Sequence, residues 1–272
     1  MKTLRGALAL AAVALALLIA YAWQIEPRQF RVTRLALPPR LAEALAGERV
    51  VFLADPHIVR GWRKAEKLRR ALADLRPDTL LIGGDLVQYD ESVDPVVDWL
   101  QRLPVKNGAF AVLGDSDYTG RVRNCAYCHV PGRRDLRRDL PVRFLRNEAA
   151  PLAGGRVRLV GLDAEDHAGW GAACGPGPEP DLPTILLAHY PTAAAGLDCR
   201  ADLILAGDTH GGQVALPGPL LNRLAHENLS SYRAGWFQLD GKPLYVTRGV
   251  GEGYFPVRFL TPPEIVVLGG GS

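Results

Sequence analysis

Short apolar runs that stop abruptly at polar residues recur along the chain. The run 50–54 is followed by Asp55-Pro56-His57, and the run 79–82 is followed by Gly83-Gly84-Asp85. Continuous apolar runs of this length are typical of strands buried on both faces. Further runs of this kind stop at clusters that contain Asp115, His189, Asp208 and His210.

Segments with helical periodicity separate several of these strands. Apolar residues recur at helical spacing from Trp62 to Leu75, and residues 93–103 form a second segment closed by Pro104. Alternation of strands and helices predicts an α/β fold in which the polar strand ends meet at one edge. The apolar segments 236–239, 244–247 and 265–268 have no long helix between them, which predicts a second, partly antiparallel sheet.

An uncharged apolar run, residues 6–23, lies near the N-terminus and ends with Tyr21 and Trp23. As a helix at about 1.5 Å per residue, the run is roughly 27 Å long, close to the thickness of a hydrocarbon core. Lys2 and Arg5 favour a cytoplasmic N-terminus, so we expect the rest of the chain on the extracytoplasmic, periplasmic side. We predict a membrane anchor over residues 1–26, with an uncleaved signal peptide as the alternative, and a domain over residues 27–272.

Composition adds little to this picture. The 272 residues are 48% hydrophobic and 22% charged, which is enough to bury a large core. The net charge of +3 is too small to indicate a nucleic-acid partner.

The polar residues at the strand ends are of the types that bind divalent metal ions. They are Asp55, His57, Asp85, Asp115, His189, Asp208 and His210. Four carboxylates and three imidazoles without a thiolate suit divalent Mn, Fe, Zn or Mg. Seven ligands are too many for one ion, but two ions that share one bridging carboxylate use all of them.

The order of these motifs, Asp-x-His, Gly-Asp, Gly-x-x-Asp, His and Gly-x-x-His, resembles the calcineurin-like metallophosphoesterases. The tail is similar to their membrane-associated bacterial branch in the stretches GDTHGGQVALPGP, LYVTRGVGEGYFPVRF and PPEIVVL. The resemblance covers residues 48–268 and implies a sandwich of two mixed β-sheets flanked by helices.

The same resemblance implies a dinuclear centre and a phosphohydrolase that uses a hydroxide bridging two ions. One ion would be held by Asp55, His57, Asp85 and His210. The other would be held by Asp85 as the bridge, Asp115, His189 and Asp208. Asp85, Asp117 and His210 are the residues expected to be catalytic.

Two motifs depart from the family pattern. Gly-Asn-His-Asp is replaced by Gly114-Asp115-Ser116-Asp117, and Gly-His-x-His is replaced by Gly207-Asp208-Thr209-His210. The second ion would therefore have harder ligands, which favours Mn or Mg over Zn, and we expect Mn. Ser116 stands where the family has a histidine that assists the leaving group, so substrates with good leaving groups should be cleaved best.

The cysteines leave several interpretations open. Cys125-x-x-Cys128-His129 matches a c-type haem attachment site. Disulfides, a structural metal site formed by all four cysteines, and free thiols are the alternatives.

The segment 119–140, predicted to be an insertion, is rich in cysteine and arginine. Its six arginines are either a solvated surface or a rim that attracts anionic substrates or lipid head groups. They are Arg121, Arg123, Arg133, Arg134, Arg137 and Arg138.

Together these features predict a membrane-anchored hydrolase of a phosphomonoester, phosphodiester or pyrophosphate bond. By family analogy its substrate is a phosphorylated small molecule or a lipid-linked one. The alternative is a catalytically impaired subunit of a membrane or envelope complex, which carries a metal or haem at Cys125, Cys128 and His129.

Overall fold

The computed structural model describes residues 2–89, 91–119, 124–128, 137, 140–175, 181–215, 232–253 and 255–270. The helices in this part are α1 (Lys2–Ala20), α2 (Pro39–Ala44), α3 (Ala65–Leu75), α4 (Asp94–Leu100) and α5 (Trp170–Cys174). Helix α1 continues through a π-helical turn, Tyr21–Ile25, and a 3₁₀ turn, Glu26–Arg28. The helix is long and apolar enough to cross a membrane, and its residues 4–20 are exposed.

Fourteen strands lie in the described residues. They are β1 (Arg31–Arg34), β2 (Arg49–Leu53), β3 (Thr79–Gly83), β4 (Ala109–Val112), β5 (Tyr118–Thr119), β6 (Asn124–Cys125), β7 (Val142–Phe144), β8 (Glu148–Leu152), β9 (Val157–Gly161), β10 (Thr184–Leu187), β11 (Leu203–Ala206), β12 (Gly235–Leu239), β13 (Lys242–Val246) and β14 (Glu264–Gly269). The first sheet has the order β1-β14-β2-β3-β4-β7, the second has the order β12-β13-β11-β10-β9-β8, and β5 pairs with β6.

Both large sheets are mixed. In the first, β14 runs antiparallel to β2 and the other neighbours are parallel. In the second, the two edge strands β12 and β8 are antiparallel to their neighbours and the inner pairs are parallel. The predicted sandwich of two mixed sheets with flanking helices is therefore confirmed.

The assignment of residues 265–268 to the second sheet was wrong. These residues belong to β14, which pairs with β1 and β2 in the first sheet, with Val266 opposite Phe52. An apolar run that is buried on both faces fits either sheet, so its sequence did not decide between them.

The strands of the first sheet contribute to two cores. Val50 and Phe52 of β2 point between the sheets and pack in a core with Ile185 and Leu205. Val51 points the other way, toward the core that α3 and α4 cover. A fully buried side chain of this size contributes about 1.5–3 kcal/mol, so the two cores hold the ends of the strands in place.

The four cysteines form two disulfides, Cys125–Cys128 and Cys174–Cys199. A thioether to haem and a thiolate ligand to a metal both need a free sulfur, and none of the four cysteines has one. The haem and four-cysteine metal hypotheses are therefore wrong, and the disulfide alternative holds. His129 and five of the six arginines of the insertion (Arg121, Arg123, Arg133, Arg134 and Arg138) lie outside the described residues.

Candidate metal centre

The loops after five strands meet between the C-terminal ends of the two sheets. Asp55 and His57 follow β2, Asp85 follows β3 and Asp115 follows β4 in the first sheet. His189 follows β10, and Asp208 and His210 follow β11, in the second sheet. The structure thus brings all seven predicted ligands together.

The backbone at this centre is held in an uncommon conformation. Five of the seven residues have positive φ angles: Asp55 (54°), His57 (44°), Asp85 (53°), Asp208 (71°) and His210 (50°). Left-handed backbone at non-glycine residues costs on the order of 1–3 kcal/mol each and persists where surrounding structure enforces it. The fold therefore aims these side chains at one point at the expense of local stability.

Two glycines make room for the carboxylates. A Cβ atom at Gly114 would overlap the Asp85 carboxylate, and a Cβ at Gly249 would lie 2.8 Å from Asp55 Oδ2. Gly249 also has a φ of +66°, which side-chain-bearing residues rarely adopt. Any larger residue at either position would displace a predicted ligand.

The first ligand group is centred on two imidazoles. His57 Nε2 lies 3.1 Å from His210 Nε2 and 3.4 Å from Asp85 Oδ2. Both imidazoles are buried, and the Nδ1 atom of each has no hydrogen-bond partner among the residues that the structure describes. Ligands of one ion with bonds of about 2.0–2.2 Å lie roughly 3 Å apart, so this spacing fits a shared divalent cation.

The second ligand group surrounds His189. Its Nε2 lies 3.2 Å from Asp115 Oδ1, 3.6 Å from Asp85 Oδ1 and 3.7 Å from Asp208 Oδ1. Its Nδ1 donates a hydrogen bond to the Gly83 carbonyl at 2.9 Å, which orients the ring. Such an outer hydrogen bond is typical of histidines that bind metal through Nε2.

The two groups are joined through Asp55 and Asp85. Ligand atoms of Asp55, Asp85 and His189 lie within 4.8 Å of one another. Both oxygens of Asp55 accept the backbone N–H of Asp208 at 3.1 Å. The oxygens of Asp85 face different groups, Oδ2 toward His57 and Oδ1 toward His189, which is the geometry that a bridging carboxylate requires.

The pKa values of the three imidazoles are shifted in different directions. Burial lowers the pKa of His57 and lowers the pKa of His210 well below its ordinary value, so both rings are neutral, the form that binds metal. Burial also opposes charge on His189. The carboxylates of Asp85 and Asp115 outweigh this and raise the pKa of His189 well above its usual range.

The carboxylates themselves are crowded. Burial, with the neighbouring Asp85 and Asp208, raises the pKa of Asp55 well above its ordinary value. Burial likewise raises the pKa of Asp208 to about 6. Clustered buried carboxylates are stable only beside positive charge. Divalent cations would supply that charge, and carboxylate and imidazole donors are suited to bind them.

Asp117 does not reach the centre. Its Oδ1 accepts hydrogen bonds from Leu86 N, Val87 N and the Tyr127 hydroxyl, and its Oδ2 accepts one from Gly114 N. With both oxygens engaged and the side chain fully buried, Asp117 positions the loops that carry Asp85 and Asp115. These contacts indicate a positioning role, and the catalytic role of Asp117 stays a prediction.

Ser116 contacts Asp85, the predicted bridging residue, directly. Its backbone N–H donates to Asp85 Oδ1 at 3.0 Å, and its Oγ donates to Asp85 Oδ2 at 3.1 Å. A serine therefore replaces the family's histidine in contact with the predicted bridge.

Two charged residues behind the centre, Arg258 and Glu264, are buried although nothing in the motif pattern predicted a role for them. Arg258 donates hydrogen bonds to five backbone carbonyls, one of which belongs to His210 at 3.5 Å. The carboxylate of Glu264 accepts from Tyr245, Thr247 and Arg248. In the sequence, Arg258 lies within VRF and Glu264 begins EIVVL. A charged residue within or next to an apolar stretch is the signal that could have indicated burial.

Comparison with known proteins agrees with this geometry. Residues 48–212 match the family model of the calcineurin-like phosphoesterases. The chain is 28% identical to UDP-2,3-diacylglucosamine pyrophosphatase LpxG of Chlamydia trachomatis, over 91% of each chain. It is 31% identical to phosphodiesterase YaeI of Escherichia coli, also over 91% of each chain.

A third relative, a transmembrane protein with a metallophosphoesterase domain from Bos taurus, is 31% identical over 87% of this chain and 56% of its own length. The matched residues contain all seven side chains of the centre. The chain therefore belongs to the calcineurin-like phosphoesterase family and is a hydrolase that acts on phosphoric ester bonds.

Proposed function

We propose that this protein is a membrane-anchored hydrolase that uses two divalent cations to cleave a phosphoester or pyrophosphate bond of a lipid-linked substrate. The observation that carries the proposal is the pair of ligand groups that share Asp85, whose two oxygens face different imidazoles at 3.4 and 3.6 Å. Asp55, His57, Asp85 and His210 would hold one cation, and Asp85, Asp115, His189 and Asp208 the other.

Two such cations activate water and neutralise the charge of a phosphoryl group. The residues of the chain supply the rest. His57 and His210 present neutral imidazoles, and Ser116 donates its hydroxyl proton to the Asp85 carboxylate in a hydrogen bond. A serine hydroxyl is a poor general acid near neutral pH, so a leaving group that needs no proton, such as a nucleotide phosphate or an aryl oxide, suits this centre best.

Three observations support a lipid-linked substrate outside the cytoplasm. LpxG is named as a pyrophosphatase of a diacylated sugar nucleotide, in which a good phosphate leaving group is joined to a lipid. Helix α1 is long and apolar enough to hold the enzyme at a membrane. Two disulfides suit an oxidising compartment, which agrees with the orientation predicted from Lys2 and Arg5, the cations before the apolar run 6–23.

The acidic second group favours manganese. Three carboxylates and one imidazole form a harder donor set than the carboxylates and two imidazoles of the first group. We therefore expect Mn²⁺, or Mg²⁺, to occupy the second group in preference to Zn²⁺.

The experiment uses the full chain in detergent, stripped with a chelator and reloaded with Mn²⁺, Mg²⁺ or Zn²⁺. Turnover is measured on p-nitrophenyl phosphate, on bis-p-nitrophenyl phosphate and on a nucleoside diphosphate carrying a diacylated sugar. We expect Mn²⁺-dependent hydrolysis, fastest on the lipid-linked pyrophosphate. Stoichiometric metal binding without hydrolysis of any of the three would contradict the proposal and favour the catalytically impaired subunit.

A further inference from the structure

The end of the N-terminal helix is bonded to a segment that borders the metal centre. We call residues 250–253 and 255–261 the rim segment. The carbonyl of Ala22 accepts the backbone N–H of Arg258 at 2.9 Å. The buried carboxylate of Glu26 accepts the backbone N–H groups of Leu260 and Thr261 at 2.9 and 2.6 Å. The helix end and the rim segment are therefore fixed to each other.

The rim segment is bonded to the ligand loops at its other side. Gly251 N donates to the carbonyl of Asp55 at 2.9 Å, and Arg258 Nη1 donates to the carbonyl of His210 at 3.5 Å. Phe259 N donates to the carbonyl of Gln213, three residues after His210, at 2.8 Å. One short segment thus connects the helix end to both imidazole-bearing loops of the first ligand group.

Large apolar side chains on the rim segment are left in solvent. Phe255 is 73% exposed and Leu260 is 65% exposed, the highest values for large apolar residues outside α1 in the part of the chain that the structure describes. Trp23 and Ile25, in the last turns of the N-terminal helix, are 54% and 47% exposed. Exposed apolar residues grouped beside a membrane-crossing helix indicate a surface that meets lipid.

Two exposed basic residues, Lys67 and Arg31, lie at the same junction. Lys67 donates to the carbonyl of Arg28, and Arg31 N donates to the carbonyl of Pro263 at 2.7 Å. Apolar side chains flanked by cations suit the boundary between the acyl chains and anionic head groups.

The length of the helix gives the depth of this surface. Residues 6–23 span roughly 27 Å, close to the thickness of a hydrocarbon core, so Ala22 lies at its outer boundary when the helix crosses the bilayer. Arg258 is bonded to Ala22, so the rim segment lies at the same boundary.

We propose that the rim segment docks on the bilayer surface through Phe255 and Leu260 and holds the loops of the first ligand group close to the lipid head groups. The inference rests on the membrane anchoring in the proposed function and extends it to the way in which substrate is reached. A phosphate attached to a membrane lipid would enter directly from the head-group layer, without leaving the bilayer.

A depth measurement tests the docking surface independently of catalysis. All four native cysteines are paired, so Phe255→Cys and Leu260→Cys each introduce a single thiol for a nitroxide label. The full chain is reconstituted in vesicles of phosphatidylcholine and phosphatidylglycerol at about four to one. We expect both labels to be more accessible to oxygen than to a water-soluble nickel complex. Ala149→Cys, on the exposed edge strand β8, is the matched control and should show the reverse.

A kinetic comparison uses the double variant Phe255→Asp/Leu260→Asp with Ala149→Asp as the control. The substrates are a vesicle-borne phospholipid with a p-nitrophenyl phosphate head group and soluble bis-p-nitrophenyl phosphate. We expect the double variant to lose roughly tenfold in rate on the vesicle-borne ester and to change less than about twofold on the soluble ester.

Labels at 255 and 260 that are as accessible to water as the label at 149 would overturn the proposal, whatever the rates are. Equal losses on the two esters would also contradict it. Nitroxide labels that lie within the bilayer, on a protein that hydrolyses neither ester, would establish the docking surface and refute the hydrolase function. A failure of the docking proposal can therefore be distinguished from a failure of the proposed function.

Discussion

The two ligand groups share Asp85 but differ in chemistry and exposure. The first presents His57 and His210, both buried, with Nε2 atoms 3.1 Å apart. The second presents one imidazole, His189, among carboxylates, and the side chains of Asp115 and Asp208 are 53% and 36% exposed. The first group is thus a closed, nitrogen-rich site and the second is an open, oxygen-rich one.

This difference assigns the two groups different tasks. A closed site whose imidazoles are already neutral would hold a cation tightly and fix it in place. An open site with hard oxygen donors leaves room for water and for a phosphoryl oxygen. We therefore expect substitutions in the first group to lower activity more than substitutions in the second, and we expect the donor atoms of the second group to set which metal is preferred there.

The largest effect should follow removal of the group that both sites share. Asp85→Asn keeps the shape of the side chain but removes the charge that faces both His57 and His189. We expect kcat on bis-p-nitrophenyl phosphate to fall by roughly 10³-fold or more, with metal content measured by plasma mass spectrometry falling below one ion per chain. Asp98→Asn, at an exposed position of α4, is the matched control. A variant at Asp85 that retained two ions would refute the bridge.

A smaller effect should separate the two groups. His210→Ala removes a buried ligand that water cannot replace well, whereas Asp208→Ala removes a partly exposed one. We expect kcat to fall about 10²-fold or more in the first variant and about tenfold in the second. Calorimetric titration with Mn²⁺ should show one binding event lost in each. Equal losses in kcat would show that burial does not distinguish the groups.

The positions of the residues in the two ligand groups were predictable from the sequence to different degrees. Asp55, Asp85 and Asp208 each end an apolar run, and parallel strands bring such ends together, so their convergence was predictable. The exposure of Asp115 was not, because it depends on a turn that is held by distant residues: Ser116 N donates to Asp85 Oδ1, and Leu86 N and Val87 N donate to Asp117 Oδ1. Motif order predicted the seven ligands, but only the fold shows which group is open.

The rest of the fold was harder to predict for a physical reason. Strand β1, RVTR, is polar and exposed, and its pairing with β14 joins residues more than 230 positions apart. Glu26 and Arg258 are charged, which is typical of surface residues. Nevertheless, Glu26 is only 2% exposed and Arg258 is fully buried, because both are hydrogen-bonded to residues far away in the sequence. Local pattern carries no information about such distant partners, and those partners place the rim segment at the metal centre.

A third prediction concerns the leaving group. Ser116→His restores the family's histidine next to Asp85, and a histidine can protonate a departing alkoxide, whereas the serine hydroxyl cannot do so near neutral pH. We expect the ratio of rates on alkyl and aryl phosphates to rise by about tenfold, with little change on the aryl ester. Ser116→Ala, which keeps the backbone hydrogen bond to Asp85, controls for loss of the hydroxyl. An unchanged ratio in Ser116→His would show that the missing histidine does not set the preference.

The smallest effect should be a change of metal preference with little change in rate. Asp208→His converts the second group to two imidazoles and two carboxylates, which matches the nitrogen content of the first group. Softer donors favour Zn²⁺ over Mn²⁺, so we expect the Zn to Mn ratio bound from an equimolar mixture to rise several-fold, roughly fivefold, relative to the native chain. Asp208→Glu, which keeps an oxygen donor, should leave the ratio near its native value. Because the measurement counts bound metal, it does not depend on which ester is hydrolysed. If the ratio stayed constant in Asp208→His, the open group would owe its metal preference to its exposure, and the contrast between nitrogen-rich and oxygen-rich sites would not explain metal choice.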